Sequence, residues 1–471
     1  MKDKKAVVVG AGISGLVAAY WLHKSGLDVR VIEKEGRVGG VVRSERHKSY
    51  LIEHGPNSTL DDSPKVGELL ESLGITGQRC EANKISNKRY ILKNGLLVPL
   101  PTTPPAFFRT KLFSTRAKFR LFAEPFIKPA DPQKEESIAE FTVRRLGREL
   151  LDYAINPFIA GVYAGDPARL SVRSAVSKIY ALEKNYGSLI RGAIKGRKRR
   201  GGSPMGGPTG KTFSFKDGMG TLPDALGSAL KDRLILRSEV RTITETKDEK
   251  GPKFKVVFQS EDKIAEIDTD AVVLTSPAYE IARIISDLDA ETARKLKEVI
   301  YVPIAVVFMG FKGIEADHPM DGFGFLVPEV EKRNILGTIF SSTLFPERTE
   351  NGSTALTTFV GGARQPELLE KDDEGMVEMV LDDMRSILGL RSQPEVVRVI
   401  RWKHSIPQYT LGYHITQEAI GRFEKSHPGL FITGNFRGGI SVSSCIAQSS
   451  GIALAVCDYF ESKLSAVSHK S

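Results

Sequence analysis

Cysteine is scarce: the 471-residue chain holds three, Cys80, Cys445 and Cys457, far apart and without a CxxC pair. That spacing excludes a disulfide framework and the usual zinc ligand sets, so no metal is expected, and it suits a reducing compartment. Long apolar runs are also missing. No stretch approaches the roughly 20 apolar residues of a spanning helix. The N-terminus, MKDKKAVVVGAGISG, breaks from a short apolar run straight into glycines and reads as a mature strand, not a leader. The expectation is a chain that is soluble or lies on a membrane without crossing it. There is no internal repeat. Apolar residues make up 41%, enough for large cores without staples, and the length suggests about two to four domains. The net charge of +10 suits nucleic acid, an anionic membrane or acidic ligands, or carries no specific meaning.

What is present begins at residue 6. Gly10-Ala11-Gly12-Ile13-Ser14-Gly15 is GxGxxG, preceded by the apolar strand Ala6–Val9 and followed by a helix over 13–25. A second strand, Val29–Ile32, ends at Glu33. In this strand–helix–strand context the glycines allow a tight turn, close approach of backbone to a diphosphate and close helix–strand packing. The diphosphate would sit at a helix N-terminus, where free N–H groups and the dipole favour anions. Glu33 would accept hydrogen bonds from the adenosine ribose. A further glycine turn, Arg37-Val38-Gly39-Gly40, suits the longer FAD, and His54-Gly55-Pro56-Asn57-Ser58 would carry backbone groups toward the flavin. No second GxGxxG supplies a nicotinamide domain, which favours an oxidase or a dehydrogenase with a small acceptor.

Further along, 61–75 reads as helix, Asn87–Leu97 as a hairpin turning at Asn94-Gly95, and Ser137–Tyr163 as helix. Residues 191–211, RGAIKGRKRRGGSPMGGPTGK, read as a mobile basic loop. A helix opens at 218–226, strands cover 234–244, 253–259 and 264–275, and a second strand-rich stretch covers 301–362. The end reads as strand 431–435, a glycine turn and helix 445–462. Glycine-rich turns at both extremes imply a discontinuous nucleotide domain.

With these residues placed, the chain resembles the protoporphyrinogen oxidase family of amine-oxidase-like flavoproteins along most of its length. Beyond the general GxGxxG…E…RxGG, the resemblance rests on Gly161-Val162-Tyr163-Ala164-Gly165-Asp166 with Leu170-Ser171, and on Asn87-Lys88-Arg89-Tyr90. It extends through Gly322–Pro328, Gly337–Ser342 and Phe345-Pro346, and through Trp402, Ile406–Tyr409 and Gly434-Asn435. The resemblance implies an α/β fold in three parts. A discontinuous Rossmann-like FAD-binding domain would take 1–85, 212–275 and 400–471; a substrate domain with a mixed β-sheet would take 86–98 and 276–399; a helical membrane-binding domain would take 99–211. It implies oxidation of protoporphyrinogen IX to protoporphyrin IX in haem biosynthesis, six electrons passing through FAD to molecular oxygen, which leaves as hydrogen peroxide. Arg89 would hold a substrate propionate, Phe345 and Leu326 would sandwich pyrroles, and Asn57 would lie near the flavin and substrate centre. Lys34, Val240 and Trp402 would join the cofactor contacts, as would Gly434, Asn435, Ile440, Ser441 and Val442. A cytoplasmic protein on the inner face of the membrane, with a possible homodimer and no nucleic-acid partner, completes the expectation.

Oxidising a porphyrinogen asks for positioning and dryness more than for a strong acid or base, so no general base is assigned; His54 reads as structural. Coproporphyrinogen III, with four propionates, is the rival substrate and would want a more cationic, open pocket. A monoamine oxidase would need an aromatic cage and a flavin-linking cysteine, and a carotene desaturase would lack GVYAGD. The basic run 195–200 has no flanking aromatics for nucleic-acid stacking. In 105–128, six phenylalanines interleave with basic residues; they either lie in a headgroup boundary or pack inward under a basic surface.

Overall fold

The structure, a computed structural model, describes residues 4–131, 133–200, 211–246, 253–350 and 352–468. Five short strands form a parallel sheet in the order Leu234–Ile235, Asp28–Ile32, Lys5–Val9, Ala271–Leu274 and Leu430–Ile432. Ala6–Val9 and Ala271–Leu274 are continuous apolar runs because both faces of the sheet are covered. Helix Ile13–Lys24 packs with the C-terminal helix on one face, and the antiparallel strands Ser238–Glu245, Phe254–Ser260 and Lys263–Thr269 cover part of the other. The sheet draws on the start, middle and end of the chain, as the two glycine turns imply. The C-terminal helix, Val442–Ser468, starts earlier than 445 because Ser441 Oγ accepts the Ser444 N–H at 3.1 Å and caps it.

A second, seven-stranded sheet is mixed. Its order is Val396–Pro407, Tyr301–Lys312, Ser353–Gly361, Ile335–Phe340, Gly324–Leu326, Tyr90–Lys93 and Leu96–Pro99. All neighbours are antiparallel except Gly324–Leu326 with Tyr90–Lys93. The 90–99 hairpin turns through Asn94 (φ 52°) and Gly95 (φ 76°), the successive positive φ values that match strand twist. Strand Val396–Pro407 pairs with Tyr301–Gly310 along its length, so a division at residue 400 passes through a strand. Helix Asp373–Leu388, which the sequence reading left unassigned, buries Met376, Val380 and Met384 on one face of this sheet.

Between the sheets in sequence lies a helical region. Ser137 and Glu140 form a capping box that starts helix Ile138–Arg145. The periodic stretch to Tyr163 is broken at Gly147, φ 95°, before helix Asn156–Tyr163. The expected loop over 191–211 is corrected in its first half: Leu189–Arg200 is helix, while 201–210 lie outside the described residues. Two tertiary contacts overrode the loop signal. The buried Glu124 carboxylate accepts the N–H groups of Leu189 (2.9 Å) and Ile190 (3.2 Å), capping the helix from another segment. Gly192 lets the helix approach Leu182 and Tyr186, which a Cβ would meet at 3.0 Å. The phenylalanines divide. Phe113 is buried, whereas Phe108, Phe119, Phe122 and Phe126 are exposed, with Phe108 stacked on Phe122 at 5.9 Å. Among the described residues no helix is long and apolar enough to cross a membrane.

Candidate active site

The nucleotide cradle lies at the carboxyl ends of the parallel strands, where open α/β sheets bind ligands. Gly10 has φ 101°, and its N–H donates to the Ile32 carbonyl at 2.8 Å. A Cβ on Gly15 would overlap the Gly10 carbonyl oxygen, so helix and turn touch only because both positions are glycine. Gly12 is the N-cap of helix Ile13–Lys24 and no side chain caps that end. Among the described residues, and apart from its own chain neighbours, a Cβ there would meet nothing within 4 Å. Free helix N–H groups facing open space fit a diphosphate. The Gly39 N–H donates to the Ala11 carbonyl at 2.8 Å and Gly12 bridges Gly39, which locks the second glycine turn against the first. Arg37 folds back on that turn, donating to the carbonyls of Val38 and Gly40.

Glu33, expected at the adenosine end, follows the second strand of this unit. Its carboxylate accepts the N–H groups of Ala11 at 2.6 Å and Glu35 at 2.9 Å, and each oxygen keeps a further acceptor site. Lys34 lies 3.7 Å from Glu280, and Arg283 on the same helix donates to the Val240 carbonyl at 2.8 Å. Lys34 and Val240 therefore flank one helix beside Glu33. Ser14 hydrogen-bonds the buried Cys445, whose thiol burial pushes up to about 11. Ile13 and Val442 share one apolar cluster.

The segments expected at the flavin come from three parts of the chain. A Cβ on Gly55 would overlap the Val41 carbonyl, so the 54–58 loop, with Pro56 and Ser58 half-buried, rests on the Gly39–Val42 turn. Trp402 Nε1 donates to the His54 carbonyl at 2.7 Å, while His54 Nε2 lies 3.0 Å from Glu45. From the C-terminal end, the Tyr409 hydroxyl donates to the Asn435 carbonyl at 2.7 Å and accepts the Gly439 N–H at 2.9 Å. Gly434, with φ 151°, packs on Phe436, and Ile440 packs against the same buried cluster as Tyr409. Burial holds the Tyr409 hydroxyl well above its usual range, so it stays a neutral donor.

On the substrate side, helix Asn156–Tyr163 closes on the seven-stranded sheet at Gly161, where a Cβ would meet Leu326 Cδ2 at 2.6 Å. Gln408 Nε2 donates to the Tyr163 carbonyl at 2.8 Å, and the Ala363 N–H to the Ala164 carbonyl at 2.7 Å. Arg89 stands apart from this clasp. Its guanidinium lies 5.0 Å from the Phe323 ring and makes no ion pair among the described residues. By area it is exposed, yet the protein mass around it lowers its pKa. Next to it, Asp321 pairs with Lys88 and accepts the Tyr90 hydroxyl at 2.5 Å; these partners hold its carboxyl below the usual range.

Phe345 is buried, and Asn57 is buried with its Nδ2 only 3.4 Å from the Gly55 carbonyl. A pair that the sequence reading missed, Glu53 and Arg348, joins them. Arg348 Nη2 donates to the Asn57 carbonyl at 3.0 Å, and its Cζ lies 5.3 Å from the Phe345 ring centroid. No local sequence signal marks the pair: Glu53 ends Tyr50–Glu53, a strand whose four residues are all buried in the structure, where a carboxylate demands a partner.

Comparison with known proteins agrees with this arrangement. The family model for flavin containing amine oxidoreductases matches residues 13–453. The chain is 35% identical to protoporphyrinogen oxidase 2, chloroplastic/mitochondrial, of Arabidopsis thaliana, over 98% of this chain and 95% of that protein. It belongs to the protoporphyrinogen oxidase branch of that family. Coproporphyrinogen III oxidase of Bacillus subtilis (strain 168) is 28% identical over 94% of this chain and 96% of its own. A crystal structure from Exiguobacterium sp. 255-15, provisionally assigned as a protoporphyrinogen oxidase, superposes with TM-score 0.81 at 25% identity, covering 98% of this chain and all of that one. Reduced UDP-galactopyranose mutase shares the fold at TM-score 0.73 and 16% identity, over 97% and 96% of the two chains. The chain is a FAD-binding oxidoreductase, and the glycine cradle fits that cofactor.

Proposed function

We propose that this chain oxidises protoporphyrinogen IX to protoporphyrin IX, with molecular oxygen as final acceptor, while resting on a membrane surface. The observation that supports the substrate reading is Arg89, an exposed guanidinium beside the Phe323 ring with no ion pair among the described residues. Its fork suits a propionate carboxylate. Leu326 and Phe345 would face the pyrroles, and Asn57 would stand at the centre. FAD, when bound, supplies the two-electron acceptor, held at Gly10–Gly15, Glu33, Arg37, Gly39–Gly40, the 55–58 loop, Trp402 and the 434–442 turn. The chain's own residues bind, orient and dehydrate. His54 is engaged by Glu45 and, through its carbonyl, by Trp402, which supports leaving the general base unassigned. Six electrons leave the substrate in three rounds of two, each with two protons.

The same reading divides the chain into a FAD part (1–85, 212–275 and 400–471), a substrate part (86–98 and 276–399) and a helical part (99–211). The exposed Phe108, Phe119, Phe122 and Phe126 support the helical part as the membrane contact, since aromatic side chains among cations suit the headgroup boundary. Turnover of protoporphyrinogen IX and coproporphyrinogen III by the FAD-loaded protein, measured side by side, tests the substrate. A higher kcat/KM for coproporphyrinogen III would transfer the assignment to the four-propionate substrate.

A further inference from the structure

Glu53 and Arg348 are each 2% exposed and lie 295 residues apart in sequence. Burying such a pair adds little stability over an apolar replacement, so its polar connections are the informative part. Glu53 Oε1 accepts the Met219 N–H at 2.8 Å as well as Arg348 Nη1. Glu53 Oε2 accepts the Ser44 hydroxyl at 2.6 Å, and Ser44 Oγ accepts the Gly220 N–H at 2.8 Å. Arg348 Nη2 donates to the Asn57 carbonyl at 3.0 Å and Ser214 Oγ at 2.7 Å. The Arg348 N–H donates to the Phe345 carbonyl at 3.0 Å.

The pair thus ties together four segments. Met219 and Gly220 open helix Thr221–Ala229, whose Pro223 and Gly227 pack on Gly39 and Val38 of the second glycine turn. Asn57 and Phe345 sit on the opposite side of the knot. A buried network held at this many points is rigid, so it fixes the spacing between the glycine turns and the segment around Phe345.

We propose that Arg348 is a positioning residue for substrate oxidation, acting through the Asn57 backbone and the Phe345 ring; this rests on the function proposed above. Lysine could still pair with Glu53, but it lacks the fork that reaches Asn57 and Ser214 and the flat face set against Phe345.

The test compares the FAD-loaded wild type with Arg348→Lys, with the double variant Glu53→Gln/Arg348→Met, and with Arg145→Lys. Arg145 is a buried arginine bound to Glu124 and Glu183 in the helical region, outside the site. The readouts are FAD content, Tm, and KM and kcat for protoporphyrinogen IX. We expect Arg348→Lys to retain FAD and to lose roughly 10²-fold in kcat/KM, with KM raised, as misplacement by about 1 Å would do. The double variant removes both charges together, leaves no unpaired buried ion, and shows the same rise in KM. Arg145→Lys loses Tm but keeps both constants. Wild-type kinetics in FAD-loaded Arg348→Lys would overturn the proposal. So would a fall in kcat/KM that Arg145→Lys shares in proportion to its loss of Tm. A wild type that oxidises no porphyrinogen overturns the parent reading instead, and that arm is read first.

Discussion

A single guanidinium supports the substrate assignment. A charge-assisted bond from Arg89 to a carboxylate contributes about 1.5–3 kcal/mol. Arg89→Ala should therefore weaken tetrapyrrole binding by about 10- to 100-fold, read as a rise in KM; unchanged KM and kcat would remove Arg89 from the anchor role. Gly15→Ala forces a methyl into the Gly10 carbonyl, so the purified protein should lose its yellow colour or fail to accumulate; a variant that is stably folded and yellow would contradict the cradle. The glycines were readable because they recur at fixed spacing, whereas the role expected of Arg89 comes from the family resemblance of its hairpin. Glu53 and Arg348 were illegible, since nothing local says which charge a buried carboxylate meets across 295 positions.

At the scale of elements, the helical region shows how burial overrides composition. RGAIKGRKRR has the charge and glycine of a loop, yet Leu189–Arg200 is helical because Glu124 caps it and Gly192 permits close packing. The hairpin and the strand–helix–strand unit were readable because periodicity and turn residues agreed with the fold. The same ion network makes this region acid-sensitive. Burial alone pushes the Glu183 carboxyl up, but hydrogen bonds from Arg144 and Arg145 outweigh it and hold the group below its usual range. A depressed carboxylate contributes stability that is present above its unfolded pKa and is lost as pH falls through the folded value. Amide exchange in 138–200 should accordingly accelerate below about pH 4. Glu183→Gln should flatten that response; an exchange profile independent of pH, after correction for intrinsic rates, would contradict the linkage.

For the molecule as a whole, the parallel sheet joins N-terminal, central and C-terminal segments, and the helical region packs on the mixed sheet at Gly161. The exposed phenylalanines lie on the helical region, with Phe119 66% and Phe122 59% exposed. Fully burying such side chains is worth about 1.5–3 kcal/mol each. Phe119→Glu/Phe122→Glu should shift the protein from floated anionic liposomes to the soluble fraction without altering its FAD content. Equal flotation of the variant and the wild type would place the membrane contact elsewhere. The central claim is that these parts make a porphyrinogen oxidase, and its most direct test is anaerobic mixing of the purified yellow protein with protoporphyrinogen IX. The account predicts bleaching of the flavin absorbance, appearance of porphyrin fluorescence and return of the yellow colour on admitting oxygen. A flavin that stays oxidised in the presence of both protoporphyrinogen IX and coproporphyrinogen III would contradict it.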